Sequence, residues 1–180
     1  IDYSRIQTYN ITIPDNMFLI WNSVYHFIIN GYAARTIMVG NVSEEARKLV
    51  EVTRQSFFEG IKYAKPGYHI IDIGRAIQEY VEKHGFSVVR DLTGHGIGKK
   101  LHEKPNIPNF ADRHKGPKLK PGMTIAVEPM VNVGEYDVEW MDDDWTVVTY
   151  DGSLSAHYEN TILITESEPV ILSQEDGIPL

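Results

Sequence analysis

Cysteine is absent from these 180 residues. That excludes disulfides, a Cys-type zinc site and a thiol nucleophile. No run of 18 or more apolar residues occurs, so the sequence contains no candidate for a helix across a bilayer. Basic residues are in deficit, 17 Lys and Arg against 25 Asp and Glu, for a formal charge of −8. A nucleic-acid binder would present a basic stripe, and an anionic membrane surface would repel this chain, so neither is expected as a partner. No repeat or low-complexity tract is found. The opening IDYSRIQ lacks both a signal-peptide pattern and an initiator Met, which suggests a processed, trimmed or partly represented chain. What remains is ordinary: 42% hydrophobic and 23% charged residues, enough for one soluble domain with a sizeable core. The lack of cysteine fits a cytoplasmic setting and is also a common choice in engineered chains.

Read in order, Tyr9–Ile13 alternates as a short strand does, and Pro14-Asp15-Asn16 makes a turn. Met17–Tyr32, MFLIWNSVYHFIINGY, is rich in β-branched and aromatic residues and predicts one long strand or a hairpin. It is apolar on both alternating faces, as in a buried strand or a partner-binding surface. Asn30-Gly31 signals a turn and Ala33–Val39 a further strand. Ser43 is placed to cap a helix, with Glu44 and Glu45 in its first turn and Ala46 at the third position. Lys65-Pro66-Gly67 stops that helix. A second one is expected over Ile70–His84, closed by Gly85. Phe86–Arg90 predicts a strand, and residues 104–122 a Pro/Gly/Lys-rich loop. Thr124–Val131, Tyr136–Trp140, Trp145–Tyr150, His157–Thr165 and Val170–Leu172 are five further strand candidates. Strands, two adjacent helices and many strands make an α+β layout, with the helices on one face of a mostly antiparallel sheet.

Chemistry concentrates in three places. Asp91–Phe110, DLTGHGIGKKLHEKPNIPNF, sets His95 between two glycines and His102 seven residues on. Glu128 follows in VEPM and Glu159 in AHYEN, each at or near the end of an apolar strand. Imidazole and carboxylate groups gathered on a rigid scaffold are metal-ligand chemistry. Taken singly, each would more often be a structural or solvated side chain; the grouping is what carries the reading. His26, His69, His84 and His114 are expected at the surface or in structural roles. His157, two residues before Glu159 on the same strand face, borders the site. Asp142-Asp143-Asp144 lacks the calcium-loop pattern and reads as a solvated turn.

The segments GHGIGKKLHEKPNIPN, PGMTIAVEPM and DDDWTVVTYDGSLSAHYENTILIT closely resemble the C-terminal half of type I methionine aminopeptidases, from about Ala33 to Leu172. The resemblance implies a pita-bread α+β half-fold: a curved, mostly antiparallel sheet with two long adjacent helices on one face. It implies removal of N-terminal Met from peptides by water activated on two divalent ions. By the same resemblance, His95, Glu128 and Glu159 match three of the family's five metal ligands. Glu128 also matches a proton shuttle, and His102 matches a His that contacts the substrate carbonyl or amide. Leu101 and Trp145 fall where the family lines its methionine pocket.

Before Ala33 the pattern breaks. The family's two Asp ligands lie on neighbouring strands in D-x-G…N-G-Y-x-G-D-x-A-R-T. Here Asn30-Gly31-Tyr32 runs straight into Ala33-Ala34-Arg35-Thr36, and the first Asp position falls at Trp21 or Val24. No HGIP-like segment stands upstream. Two close divalent ions need several carboxylates to offset their repulsion. One His and two Glu suit at most one weakly bound ion (Mn, Co, Fe or Zn), or none. Asp15 or Asn22 could substitute for a lost ligand. Without an ion, Glu128 and Glu159 become carboxylates with no counter-charge, and at least one should have a raised pKa. The expectation is therefore a single domain over 1–180, with a divergent or replaced segment at 1–32 and an aminopeptidase-like core at 33–172, and little or no activity. The alternative is a pseudoenzyme or engineered scaffold that binds a protein partner through residues 17–32, with Phe18, Ile20, Trp21, Tyr25 and Phe27 in contact. A third option is that residues of a complete enzyme are omitted beside Tyr32.

Overall fold

The computed structural model describes residues 8–12, 16–22, 25–38 and 40–173, with side chains described from Tyr32 onward. Strand β1 (Thr8–Thr12) pairs with β4 (Ala33–Met38), and β2 (Asn16–Asn22) pairs with β3 (Tyr25–Gly31) as a hairpin. Of the two forms expected for 17–32, the backbone takes the hairpin. Helix α1 (Glu44–Ile61) begins where Ser43 Oγ accepts the Ala46 N–H at 3.1 Å, which satisfies one of the free donors of the first turn. Helix α2 (Ile70–Lys83) ends before Gly85, whose φ of 85° is the left-handed conformation glycine adopts without strain.

The strands that follow are β5 (Ser87–Val88), β6 (Gly94–Ile97), β7 (Glu103–Ile107), β8 (Thr124–Val127) and β9 (Met130–Asn132). Then come β10 (Val138–Trp140), β11 (Val147–Thr149), β12 (Ser155–Leu163) and β13 (Val170–Ile171). The main sheet runs β1-β4-β12-β8-β6-β7, with β9 and β13 also on β12 and β5 on β9. Every described pairing is antiparallel. Strand β12 is the hub, hydrogen-bonded to β4, β8, β9 and β13.

Two expectations need correction here. The stretch Thr124–Val131 is not one strand. It breaks at Glu128-Pro129, where proline has no N–H to give a ladder. The stretch beginning at Lys104 is not all loop: Glu103–Ile107 is a strand against β6 despite Pro105. Its partner β6 holds Gly94 and Gly96 on either side of His95.

The core lies between the helices and the sheet. Leu49, Val52, Phe57, Ile73, Ile77 and Val81 from α1 and α2 meet Ile125, Val127, Val131 and Ile162 from the strands. Alternation along β12 sorts its side chains. Tyr158 turns to the helices, its ring 5.3 Å from that of Phe57, while His157 and Glu159 turn to the opposite face. That opposite face carries the candidate site.

Candidate metal centre

His95 sits in β6, and the sequence keeps glycine on both sides of it for a steric reason. A Cβ on Gly94 would lie 2.3 Å from the Ala126 carbonyl oxygen, and one on Gly96 would lie 2.6 Å from that of Lys104. The neighbouring strands β8 and β7 therefore approach this backbone as closely as they do only because no side chain intervenes. The β6–β7 register shifts between His95 and Gly96, the kind of irregularity that re-aims a side chain. His95 Nδ1 donates to the Gly96 carbonyl at 2.9 Å, which leaves Nε2 as the lone-pair nitrogen. That nitrogen stands 3.8 Å from Glu128 Oε1.

Glu128 sits at the break after β8. Asn109 Nδ2 donates to its carbonyl at 3.0 Å, and Tyr158 N donates to the Pro129 carbonyl at 3.2 Å, so the irregular backbone is pinned on both sides. Glu159 lies on β12, 3% exposed, directly across from Ala34 of β4. Arg35 Nη1 donates to the Glu159 carbonyl and Nη2 to Asn160 Oδ1 at 2.8 Å, and its guanidinium lies 4.0 Å over the Tyr158 ring. The ligand atoms of His95, Glu128 and Glu159 all lie within 4.8 Å of one another. They form the one group among the described residues that could hold a metal ion. Their donor set of one neutral imidazole and two carboxylates suits a divalent cation.

The electrostatics suit a cation-binding site. Burial, and then the neighbouring Glu159 charge, push the Glu128 carboxyl up to about 9. Burial likewise raises Glu159, opposed by the Arg35 charge. Both carboxyls of the pair are thus raised, as expected where burial outweighs the nearby Arg35 charge. Burial lowers His95, opposed by its hydrogen bond to Gly96 and assisted by the nearby His102. That direction favours the neutral form, in which imidazole ligates.

The other anticipated residues are distributed unevenly. The exposed His102 places its ring 4.0 Å from that of His95, and Tyr32 packs edge-on to His95 at 5.8 Å and tilted to His102 at 5.6 Å. Leu101 is half-buried next to His102. Trp145 is 85% exposed in the segment joining β10 to β11 and is not gathered at the cluster. His84 bonds the Tyr80 carbonyl at 2.7 Å, and the His69 N–H caps onto Asp72 at 2.8 Å. Asp143 takes the N–H groups of Trp145 and Thr146 in an exposed turn. The side chains of Phe18, Ile20, Trp21, Tyr25 and Phe27, with those of Asn22 and His26, lie outside the described part of the structure, as do Asp15 and Val24.

Sequence reasoning underweighted His157. Its Nε2 lies 3.8 Å from Glu128 Oε2 and has no hydrogen-bond partner among the described residues, though it is buried. Burial, and then the Arg35 charge, lower it to about 4. The spacing from Glu159 was the available signal, but pairing to Glu128 depends on the β8 break. Tyr32 was not singled out as a site residue at all.

The arrangement defines a candidate metal scaffold: one sheet brings together His95 at the β6 register shift, Glu128 at the break after β8 and Glu159 within β12. A model described as metallopeptidase family M24 matches residues 12–166, and the chain belongs to that family. It is 57% identical over 148 residues to a methionine aminopeptidase of Clostridium perfringens, a match covering 81% of this chain and 59% of the relative. It is 51% identical to methionine aminopeptidase 1 of Bacillus subtilis, covering 81% and 60%. Among solved structures, methionine aminopeptidase from Thermotoga maritima superposes with a TM-score of 0.79 at 48% identity, covering 82% of this chain and 59% of that one. Prolidase from Pyrococcus furiosus gives 0.62 at 25% identity, covering 82% and 38%. The fold is the pita-bread α+β type. The chain spans about 60% of the length of the curated relatives it matches.

Proposed function

We propose that this chain carries a reduced methionine-aminopeptidase-type centre, in which His95, Glu128 and Glu159 hold one divalent ion and peptide hydrolysis is impaired. The observation that carries this reading is the three-residue group within 4.8 Å, taken with the break in the family's Asp-bearing pattern before Ala33. When bound, such an ion supplies a water of lowered pKa and polarises a carbonyl oxygen. Glu128 contributes a buried carboxyl that can hold a proton at neutral pH. His102, exposed with its ring 4.0 Å from that of His95, is the proposed donor to a substrate carbonyl or amide. The substrate proposed is the N-terminal Met of a peptide, after the names of the relatives. Residues 33–172 are read as the core unit and residues 1–32 as a divergent or replaced segment. No described helix is long and apolar enough to cross a membrane, and the cysteine-free composition is consistent with a cytoplasmic setting.

A second reading rests on a separate observation. Strands β2 and β3 pair with each other and with no other described strand, so the apolar 17–32 segment is a hairpin outside the main sheet. Such a hairpin could dock a protein partner. Titration of Mn²⁺ and Co²⁺ into metal-free protein, alongside hydrolysis of a Met-initiated peptide, separates the readings. One weak equivalent with little turnover is expected. Two tight equivalents with sustained turnover would overturn the reduced centre, and no binding at all would favour the docking scaffold.

A further inference from the structure

The break after β8 interrupts the strand but not the register. Asn160 faces Val127 on one side of it and His157 faces Met130 on the other, so Glu159 and Glu128 stand directly opposite one another. Tyr158 N donates to the Pro129 carbonyl at 3.2 Å, which makes Tyr158 and Pro129 the hydrogen-bonded pair, although proline returns no N–H. Glu128 and Glu159 are then the adjoining non-hydrogen-bonded pair, whose side chains come closest and whose backbone groups point away from each other. Like charges at such positions repel. The Glu128 carbonyl turns away from β12 and needs a donor elsewhere. Asn109 supplies it, with Nδ2 donating at 3.0 Å.

Asn109 is itself held from the helix layer, and it is 0% exposed. A Cβ on Gly74 of α2 would lie 2.4 Å from the Pro108 carbonyl oxygen and 2.6 Å from that of Phe110. The helix therefore rests on the backbone around Asn109 only because Gly74 has no side chain. One turn further along α2, Gln78 Oε1 accepts the Ala111 N–H at 2.7 Å. A continuous path thus runs from α2 through Asn109 to the backbone of Glu128. Asn109 Oδ1 is buried without a hydrogen-bond partner among the described residues, so only the donor end of this amide is engaged.

We propose that Asn109 is a positioning residue for the centre: by holding the Glu128 carbonyl it fixes the Glu128–Pro129 peptide plane and keeps the Glu128 carboxyl facing His95 and Glu159. It acts through Glu128 and is not itself a ligand. Without this bond the peptide is free to rotate, and repulsion between the two opposed carboxyls drives Glu128 away from the other ligands. The proposal rests on the metal-centre reading above and deepens it.

Asn132 is a matched control. It too is 0% exposed, its Nδ2 donates to a backbone carbonyl (Glu135, at 2.9 Å) and its Oδ1 is likewise unpartnered among the described residues, but it stands apart from the three metal-binding candidates. Co²⁺ titration and the visible absorption spectrum of the Co²⁺-loaded full chain compare the wild type with Asn109→Leu and Asn132→Leu, which keep the side chain's approximate size and remove its donor. In Asn109→Leu the dissociation constant should rise about tenfold or more and the Co²⁺ bands should shift. In Asn132→Leu both should stay at the wild-type value. Unchanged affinity or unchanged bands in Asn109→Leu, or an equal loss in Asn132→Leu, would overturn the positioning role and leave the three-ligand centre standing. No Co²⁺ bound by the wild type would overturn both. Should Asn109→Leu fail to fold, as circular dichroism would reveal, Asn109→Ser, whose hydroxyl is one atom short of the amide nitrogen, takes its place in the same comparison.

Discussion

The two faces of β12 are built from consecutive residues and obey opposite rules. On one face Tyr158 packs its ring against Phe57 and Phe58 of α1. On the other, Glu159 is as well covered and His157 largely so, yet His157 Nε2 has no hydrogen-bond partner among the described residues and burial raises two neighbouring carboxyls. The first face is a finished core. The second has the composition of a core position and the electrostatics of an incomplete complex. Burial alone therefore does not separate structure from function in this protein; neighbouring carboxyls with raised pKa beside imidazoles mark the second face.

The comparison can be broken most severely by removing a ligand. Replacing His95, Glu128 or Glu159 by Ala should weaken Co²⁺ binding by about a hundredfold or more and abolish any residual turnover, while secondary structure persists. Unchanged turnover in any one variant would refute that residue's assignment. On the packed face, Phe57→Ala should cost about 3–5 kcal/mol of unfolding free energy in urea titration, because a fully buried ring leaves a cavity. Metal stoichiometry in the fraction that remains folded should not change. If Phe57→Ala altered stoichiometry, the two faces would not be independent.

Proton linkage gives a third, subtler test on metal-free protein. The raised carboxyls keep a proton in the folded state that the unfolded chain releases from about pH 4.5 upward, so their contribution to stability falls as pH climbs towards 9. His157, lowered to about 4, acts oppositely: below about 6.5 the unfolded chain binds a proton that the folded one refuses, so stability is lost as pH falls through that range. The two effects oppose each other between 4.5 and 6.5, and above 6.5 only the carboxyl effect remains. Stability should therefore decline from pH 6.5 to 9 without metal. Adding Co²⁺ should flatten that decline, since deprotonated carboxylates bind the ion and bound ligand stabilises the folded state. A metal-free protein whose stability rises over the same interval would contradict the unpaired carboxyls. The smallest effect is remote from both faces: Ser43→Ala removes the cap of α1 and should cost about 1 kcal/mol, with no change in metal binding.

The two helices could be read almost residue by residue because their signals are local. Ser43 and Gly85 act through the few residues around them. The trio of His95, Glu128 and Glu159 was also legible, through the motifs in which each stands. Strands β6 and β7 were not. Glycines and Pro105 argue for a loop, and only hydrogen bonding to β8 makes this stretch a sheet. The break at Glu128-Pro129 was hidden inside an apolar run for the same reason: whether a run continues as strand depends on the partner beside it.

Thus the sequence by itself determined the starts of both helices, the alternation along β12 and the residue types available to a metal, since these follow from neighbouring residues and side-chain chemistry. Only the tertiary structure decided that His157 faces the far oxygen of Glu128 and that two carboxyls are buried together. Those relations join strands some thirty residues apart, and their strength comes from exclusion of water, which no local stretch of chain possesses until the sheet has formed.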